Sequence, residues 1–507
     1  MSAPDARATR EFDMNVARET HWRSSLLLFL GAAAFYAGCL DYTYNGDVIV
    51  YANIVATKTF DEFTIHQGYF LLLWALGAVL APWKVIAPEV LAVWIAPAFG
   101  AASLVVTWHI ARHFLARLAP PPGFADNDAA ALRRLEAAPW LAVLIVAFSY
   151  RFYYNASSAE IYMPQTFGLL LSFLLFLRGQ PVRASLPLLF ALHVSPLTAF
   201  WCLFYPVVAW QRGWGWAPLL RLGIPTALVY LPFFAWYHQD LLWGTRGLLA
   251  VQDVQPFAPL AAAKNFVIFQ GKHYTFTLLL LLPALAMVRR QRELFWVTLA
   301  LFLPNLVVIT KLEAEDNVFI LTLDCFIGLW MTLGALKLAE QRRQWLAALL
   351  VGAHLLLFVV ANRPWFAPQN EGYASELGAL AERAQRERAM IVTHWEQRVG
   401  LVYYGRRTPS YPLEEGTIFE HTADAKTESP AAISAVRAAP LVYAYDYYSP
   451  SPIANLLLPD AVLRERATRA SVVGLVERRF GMDCTLDSRG LLTLHRCVVS
   501  PDRPPVP

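Results

Sequence analysis

The sequence predicts a polytopic α-helical membrane bundle of about eleven spans, followed by a C-terminal extracytoplasmic α/β domain. Three observations carry that expectation. The first is composition: 57% of the residues are hydrophobic, only 16% are charged, and the mean hydropathy is +0.40. A soluble domain carries roughly a quarter charged residues, so this chain lacks the polar surface to cover its 507 residues in water. The second is patterning, since the apolar residues arrive in blocks of about 15–24 separated by short polar stretches. The third is that those stretches alternate between basic and non-basic, and Lys- and Arg-rich loops stay cytoplasmic.

The alternation orients each span. Residues 1–23 carry Arg7, Arg10, Arg18 and Arg23 and form a cytoplasmic segment without the small-x-small site of a cleavable signal. The membrane domain covers 24–361. Its first span, about 25–40, leads to a long outer loop, 41–88, in which the short apolar run Tyr69–Ala81 reads as a re-entrant or interfacial helix. Counting that run as a span would invert the later loop charges. The second span, about 89–112, returns to Arg112, Arg117, Arg133 and Arg134. Spans at about 138–152 and 161–178 bracket an outer loop and end at Arg178 and Arg183. Two short spans, about 184–195 and 196–211, meet at His193, Ser195 and Pro196, and Arg212 and Arg221 follow inside. The span at 217–237 opens a second outer loop, 238–272. Three more reach Arg289–Arg292, then Lys311 and the acidic stretch to Asn317, then Arg342 and Arg343, and the eleventh, about 345–361, exits.

After Arg363 the composition changes, and 362–507 reads as a small α/β domain outside the cytoplasm. Residues 374–390 have helical polarity. Strand-like runs occur at Ala389–Thr393, Val399–Tyr404, Pro440–Ala444 and Leu491–Leu494. Cys484 and Cys497 flank a hairpin-like run and are placed to bond in an oxidising compartment. Cys39, Cys202 and Cys325 lie in apolar segments and read as small buried side chains. A net charge of +4 is too small to suggest nucleic acid, and no zinc-spaced Cys/His set, P-loop or dinucleotide fingerprint appears.

Polar chemistry collects on the outer side. Asp41 and Asp47 follow the first span in Leu40-Asp-Tyr-Thr-Tyr-Asn-Gly-Asp47, where Gly46 suggests a tight turn. Either aspartate alone reads as a solvated loop residue. Outer-side cations, Arg151, Arg246, Lys264, Lys272 and Lys311, suit lipid headgroups or an anionic substrate. Tyr153, Tyr154 and Tyr162 suit an interfacial belt or stacking on a sugar.

Three segments together resemble a known family. Gly46-Asp47 followed by His66-Gln-Gly-Tyr-Phe-Leu-Leu-Leu resembles the first outer loop of GT-C fold membrane glycosyltransferases, in the branch related to protein O-mannosyltransferases. Ala159-Glu160-Ile-Tyr162 is similar to that branch's A-E-V-Y, and Leu192-His193-Val-Ser-Pro-Leu-Thr198 to its T-H-H-x-T bend. The likeness covers roughly 20–335. It departs where Asp47 stands for Glu, Tyr44 for an additional Asp, and Gln67-Gly68 for Pro-Pro. No Arg precedes the aromatic in Asp316-Asn-Val-Phe319.

The resemblance implies sugar transfer from a polyprenyl-phosphate donor at the outer membrane face to a protein, glycan or lipid hydroxyl. Asp47 would then be the general base, with Glu160 assisting, orienting the acceptor or holding a divalent cation. Asp41, His66, Arg151, Tyr162, His193, Arg246, Lys272 and Lys311 would bind substrate, the cations facing the charge that develops on the leaving phosphate. The implied location is a bacterial inner membrane. A lipid or small-molecule transporter is the alternative, although no internal repeat is evident and the carboxylates cluster on one side. A non-catalytic scaffold is the third reading.

Overall fold

The computed structural model describes residues 6–42, 46–58, 66–118, 129–237, 259–311, 321–362, 366–368, 370–394, 400–401, 403–405, 410–413, 430–446, 472–489 and 492–501. The chain separates into two compact units. One comprises 1–39, 60–72 and 94–360; the other comprises 40–59, 73–93 and 361–507.

Sixteen helices are described up to residue 362: α1 Ala6–Ala37, α2 Gly46–Thr57, α3 Gln67–Leu80, α4 Pro88–Leu115, α5 Ala129–Ala147, α6 Tyr150–Ser157, α7 Tyr162–Leu177, α8 Pro181–Val194, α9 Thr198–Trp201, α10 Phe204–Gln211, α11 Ala217–Tyr237, α12 Pro259–Tyr274, α13 Leu281–Ala284, α14 Arg292–Lys311, α15 Leu321–Glu340 and α16 Gln344–Asn362. Among the described residues, four helical segments are long and apolar enough to cross a membrane, at Pro88–Leu118, Ala217–Ala235, Leu321–Glu340 and Gln344–Asn362. A fifth is a bent pair, Arg133–Ala147 with Tyr150–Ser157 at 71°. The sequence patterning gives about eleven spans, and most of the other apolar helices are too short to reach across alone. At 14 residues, α3 is about 21 Å long, against a hydrocarbon core of about 30 Å.

Helix α15 is buried almost all round, from Leu321 to Leu338, as expected of a helix apolar on every face at the centre of a bundle. Gly334 is required there, because a β-carbon would run into the Leu280 carbonyl oxygen. Helix α6 departs from the α5 axis because Ser149 interrupts the ladder. Its backbone is extended, and its hydroxyl accepts from the Phe152 amide at 3.4 Å as an N-cap. The cross-lying helix buries Arg151, Phe152, Tyr153, Asn155, Ala156 and Ser157.

One end of the bundle is basic. Arg117 and Arg212 both pair with Glu293 at the start of α14, and Arg212 also donates to the Leu177 carbonyl at 2.7 Å. Leu177 ends α7, whose other end follows Glu160; sixteen residues at about 1.5 Å each separate the ends by about 24 Å. Residues assigned by loop charge to the inner and outer faces thus sit at opposite ends of this helix.

The second unit is built on a five-stranded sheet of β1 Met390–His394, β2 Ser410–Leu413, β3 Val442–Asp446, β4 Met482–Arg489 and β5 Thr493–Val499, in the order β2-β1-β3-β5-β4. Strands β2, β1 and β3 are parallel, while β5 is antiparallel to both β3 and β4. Helices α17 Tyr373–Arg386, α18 Pro430–Ala438 and α19 Val472–Phe480 accompany it. Helix α17 buries Tyr373, Leu377, Leu380, Ala381 and Ala384, a stripe at helical spacing. Val392, Val436, Val442, Val476, Phe480 and Cys497 form the core on one side of the sheet. Cys484 and Cys497 pair directly across β4 and β5 and are disulfide-bonded.

The run Val399–Tyr404, strand-like by composition, is helical at 400–401 and 403–405. Tertiary packing decides it: Leu401 is fully buried, and Gly400 lies so near Leu377 that a β-carbon would approach its Cδ1 to 3.1 Å.

Candidate functional site

The segments singled out in the sequence meet in the first unit. His66 Nδ1 is 2.6 Å from the Val194 carbonyl oxygen. A carbonyl only accepts, so Nδ1 carries the proton, and the imidazole is anchored to the end of α8. Two residues on, a β-carbon at Gly68 would lie 2.8 Å from His193 Cβ and 2.9 Å from its carbonyl carbon, so the start of α3 reaches α8 only because residue 68 is glycine. The sequence read Gln67-Gly68 as a departure from Pro-Pro; in the structure the glycine makes the contact. His193 packs its ring edge-on against Phe233 and Tyr230, with centroids 4.3 and 5.3 Å away. The bend after α8 is held by Thr198, which donates to the Ala191 carbonyl and accepts from Gln165 Nε2, each at 3.0 Å.

Glu160 is half-buried in the link between α6 and α7, within electrostatic reach of the Tyr69 phenol. Tyr162 opens α7, also half-buried. His66, Glu160 and His193, distant in sequence, therefore belong to one neighbourhood. Asp47 lies in the other unit, in the first turn of α2, so Gly46 begins a helix rather than a tight turn. Asp41 belongs to that unit too; it is 5% exposed, and its Oδ1 accepts from Asn370 at 3.0 Å.

The cations are placed very differently. Arg151, near the start of α6, is buried, and its Nη1 donates to both carboxylate oxygens of Asp324 on α15 at 2.8 Å each. Sequence reasoning missed Asp324, which lies inside an apolar run with nothing local to mark it. Tyr274 donates to the Asp324 backbone carbonyl at 3.2 Å. The pair is incompletely satisfied: Arg151 Nε and Nη2 are buried without hydrogen-bond partners. The same holds for Asn155 Oδ1, His273 Nδ1 and both amide atoms of Gln270. His273 stacks on Tyr150 (6.0 Å between centroids, 7° between planes) and feels the charges of Arg151 and Lys272. Lys272 is half-buried and Lys264 exposed. Lys311 ends α14, and Arg246 lies outside the described residues. Among the described residues, no three His, Cys, Asp or Glu side chains gather into a metal site.

Gln270 also lines an apolar groove of about 530 Å³ along α12, α14 and α15, walled by Phe266, Leu279, Phe302, Leu323 and Trp330. That volume is within the roughly 300–1,000 Å³ of ordinary ligand sites. Gln270 and His273 stand three residues apart on α12 and are neighbours on its surface, so the hydrocarbon lining comes within a helical turn of the buried polar cluster. An amphiphile with an anionic head fits such a junction.

No protein-family model and no curated protein matches this sequence. Among solved structures, ArnT from Cupriavidus metallidurans in the apo state aligns over 94% of this chain and 98% of its own, with TM-score 0.50 and 11% identity. The fold is GT-C. The same ArnT bound to undecaprenyl phosphate aligns over 93% and 97%, with TM-score 0.49 and 11% identity. The archaeal oligosaccharyltransferase AglB from Archaeoglobus fulgidus, in complex with an inhibitory peptide and a dolichol-phosphate, aligns over 77% of this chain with TM-score 0.49 and 12% identity. This chain spans 64% of that protein, less than two thirds of its length. The GT-C fold expected from the three segments is the one the ArnT alignment at TM-score 0.50 shows, and the O-mannosyltransferase branch is not singled out.

Proposed function

We propose that this chain is a membrane glycosyltransferase, moving a sugar from a polyprenyl-phosphate-linked donor to an acceptor hydroxyl at the outer membrane face. The observation that carries the reading is the convergence of the His66, Glu160 and His193 segments at one end of a GT-C bundle. The apolar groove reaches Gln270, one helical turn from the His273 that feels the charge of Arg151, and this supports the class of donor.

In this reading the acceptor oxygen attacks the anomeric carbon as its proton passes to Asp47. The bond from that carbon to the phosphate oxygen breaks, and the prenyl phosphate leaves. Negative charge grows on the phosphate, which Arg151 Nε and Nη2 would meet in a site of low dielectric. Glu160 orients the acceptor, assists the base or holds a divalent cation. His66, His193 and Tyr162 contact sugar, and Asp41, Lys272, Lys311 and Arg246 bind other parts of the substrates. Eleven spans, an extracytoplasmic 362–507 domain and a bacterial inner membrane belong to the same proposal. The buried Arg151–Asp324 pair also suits a transporter, since intramembrane charges mark transport paths.

The deciding experiment is transfer of radiolabelled sugar from short-chain prenyl-phosphate donors, screened with wild-type protein and repeated with Asp47→Asn. An amide keeps the volume but takes no proton, so turnover is expected to fall about 10²–10⁴-fold while expression and folding persist. Undiminished turnover removes Asp47 from catalysis. Lipid movement without sugar transfer favours the transporter.

A further inference from the structure

The donor of the proposed reaction and its lipid product differ in charge. A sugar-linked prenyl phosphate is a phosphodiester with one negative charge, whereas the monoester released carries about −1.5 to −2 at pH 7. A site binding both equally would be occupied by its own product. The fixed charges in the bundle bear on that choice.

Asp324 does two things to Arg151. Both its carboxylate oxygens engage the single nitrogen Nη1, rather than the two-nitrogen edge that arginine usually offers a carboxylate. The Nε–Nη2 edge is left buried and without partners. That edge presents parallel N–H groups at the spacing of two phosphate oxygens. Asp324 also cancels the guanidinium charge, with the two side chains 0% and 3% exposed, so the pair adds directional donors to the site and no net charge. Nearby side chains extend the site without reversing this: His273 and Tyr274 on α12, Asn155 on α6, and Gln270, which lines the groove one turn before His273. Lys272 lies beside His273 and is common to every variant below.

We propose that Asp324 is a positioning and specificity-determining residue, which turns the Nε–Nη2 edge of Arg151 to a lipid phosphate while keeping the pair neutral, so that the site favours a prenyl phosphodiester over the monoester left after transfer. This rests on the donor reading above and adds to it a means of releasing the spent carrier. A monoanion gains the bidentate hydrogen bonds without a large unbalanced charge. The second charge of the monoester meets no compensating cation from the pair and pays desolvation in a poorly screened interior.

The test needs neither the sugar nor the acceptor. Farnesyl phosphate and its methyl diester share one tail and differ by one charge at pH 8, and their binding to the purified full chain is measured in neutral detergent. Wild type is expected to hold the diester about tenfold or more tightly than the monoester. Asp324→Asn is expected to shift that ratio at least about tenfold towards the monoester, and Asp324→Glu to restore it. A residue that only supports packing would weaken both ligands together and leave the ratio alone. Equal affinities in wild type, or tighter binding of the monoester, overturn the proposal without any variant having to fold. So does a folded Asp324→Asn protein with an unchanged ratio. Binding of neither probe removes the proposal together with the donor reading, an outcome distinct from binding both without preference.

Discussion

Truncating Asp324 tests the buried pair as a structural element, separately from any ligand. In wild type both carboxylate oxygens lie 2.8 Å from Arg151 Nη1, and neither side chain reaches solvent. With charge centres about 4 Å apart and an effective dielectric near 20, the attraction is about 4 kcal/mol. Asp324→Leu therefore leaves a guanidinium buried without a counter-charge, and guanidinium does not deprotonate, so we expect a loss of about 3–5 kcal/mol. Arg151→Met is expected to cost less, because an abandoned carboxylate can take up a proton and become neutral. The double variant, Arg151→Met with Asp324→Leu, removes both charges and both desolvation costs and is expected to lie within about 1 kcal/mol of wild type. Unfolding of the detergent-solubilised protein, in increasing SDS or on heating, reads all four members of the cycle. If the single Asp324 variant is no less stable than the double one, the two charges are not paired in the bundle. Asp324 then does not neutralise Arg151 at the phosphate site either.

Three further expectations concern other parts of the chain. Gly68→Ala places a β-carbon 2.8 Å from His193 Cβ and should cost about 1–3 kcal/mol in thermal stability, with a larger loss for Gly68→Val; an unchanged melting temperature means that α3 does not approach α8 so closely. In the second unit, Tyr443 donates to Glu387 at 2.5 Å and Arg383 at 3.0 Å, holding that carboxyl below its usual range, while burial and Glu387 push Tyr443 up to about 12. Because the folded value lies below the unfolded one of about 4.3, the contribution is complete above pH 4.3 and fades as pH falls through the folded value; thermal melts from pH 7 to 3 should show a smaller acid loss for Glu387→Gln than for wild type. Replacing Cys484 and Cys497 by serine opens a loop with a sequence separation of 13 and should lower the stability of the sheet by about 3 kcal/mol, with no change meaning that the paired strands alone restrict the chain.

How much of this was legible before the structure depends on the range of the forces involved. Membrane character follows from composition, and the basic end of the bundle follows from loop charge, because both are properties of segments. Helix α17 was readable because Tyr373, Leu377, Leu380 and Ala384 repeat at helical spacing along one short stretch. The run Val399–Tyr404 was misread because its β-branched and aromatic residues describe a half-buried surface equally well on a strand or a helix, and only the neighbouring Leu377 decides between them. The break between α5 and α6 has a local cause, the cap at Ser149. Its 71° angle does not, since the capped helix turns to bury Arg151 and Phe152 against elements far along the chain.

The site divides in the same way. His66, Glu160 and His193 were visible because each sits in a short pattern of its own, and the fold supplies what the patterns lack, the hydrogen bond from His66 to Val194 and the glycine that admits it. Arg151 was visible as a cation, but its partner lies 173 residues away, and no local signal separates Asp324 from a stray polar residue in Leu321-Thr-Leu-Asp-Cys-Phe326. A rule of energetics would have found it. A carboxylate deep in a span costs about 2.5–3.5 kcal/mol on insertion scales and is retained where something answers it. Applied to α15, that rule asks which cation does so; applied to Arg151, it asks why an arginine would be buried after an N-cap. Each residue is the other's answer. What neither question predicts is the geometry, in which one nitrogen takes both carboxylate oxygens and the opposite edge of the guanidinium is buried without a partner.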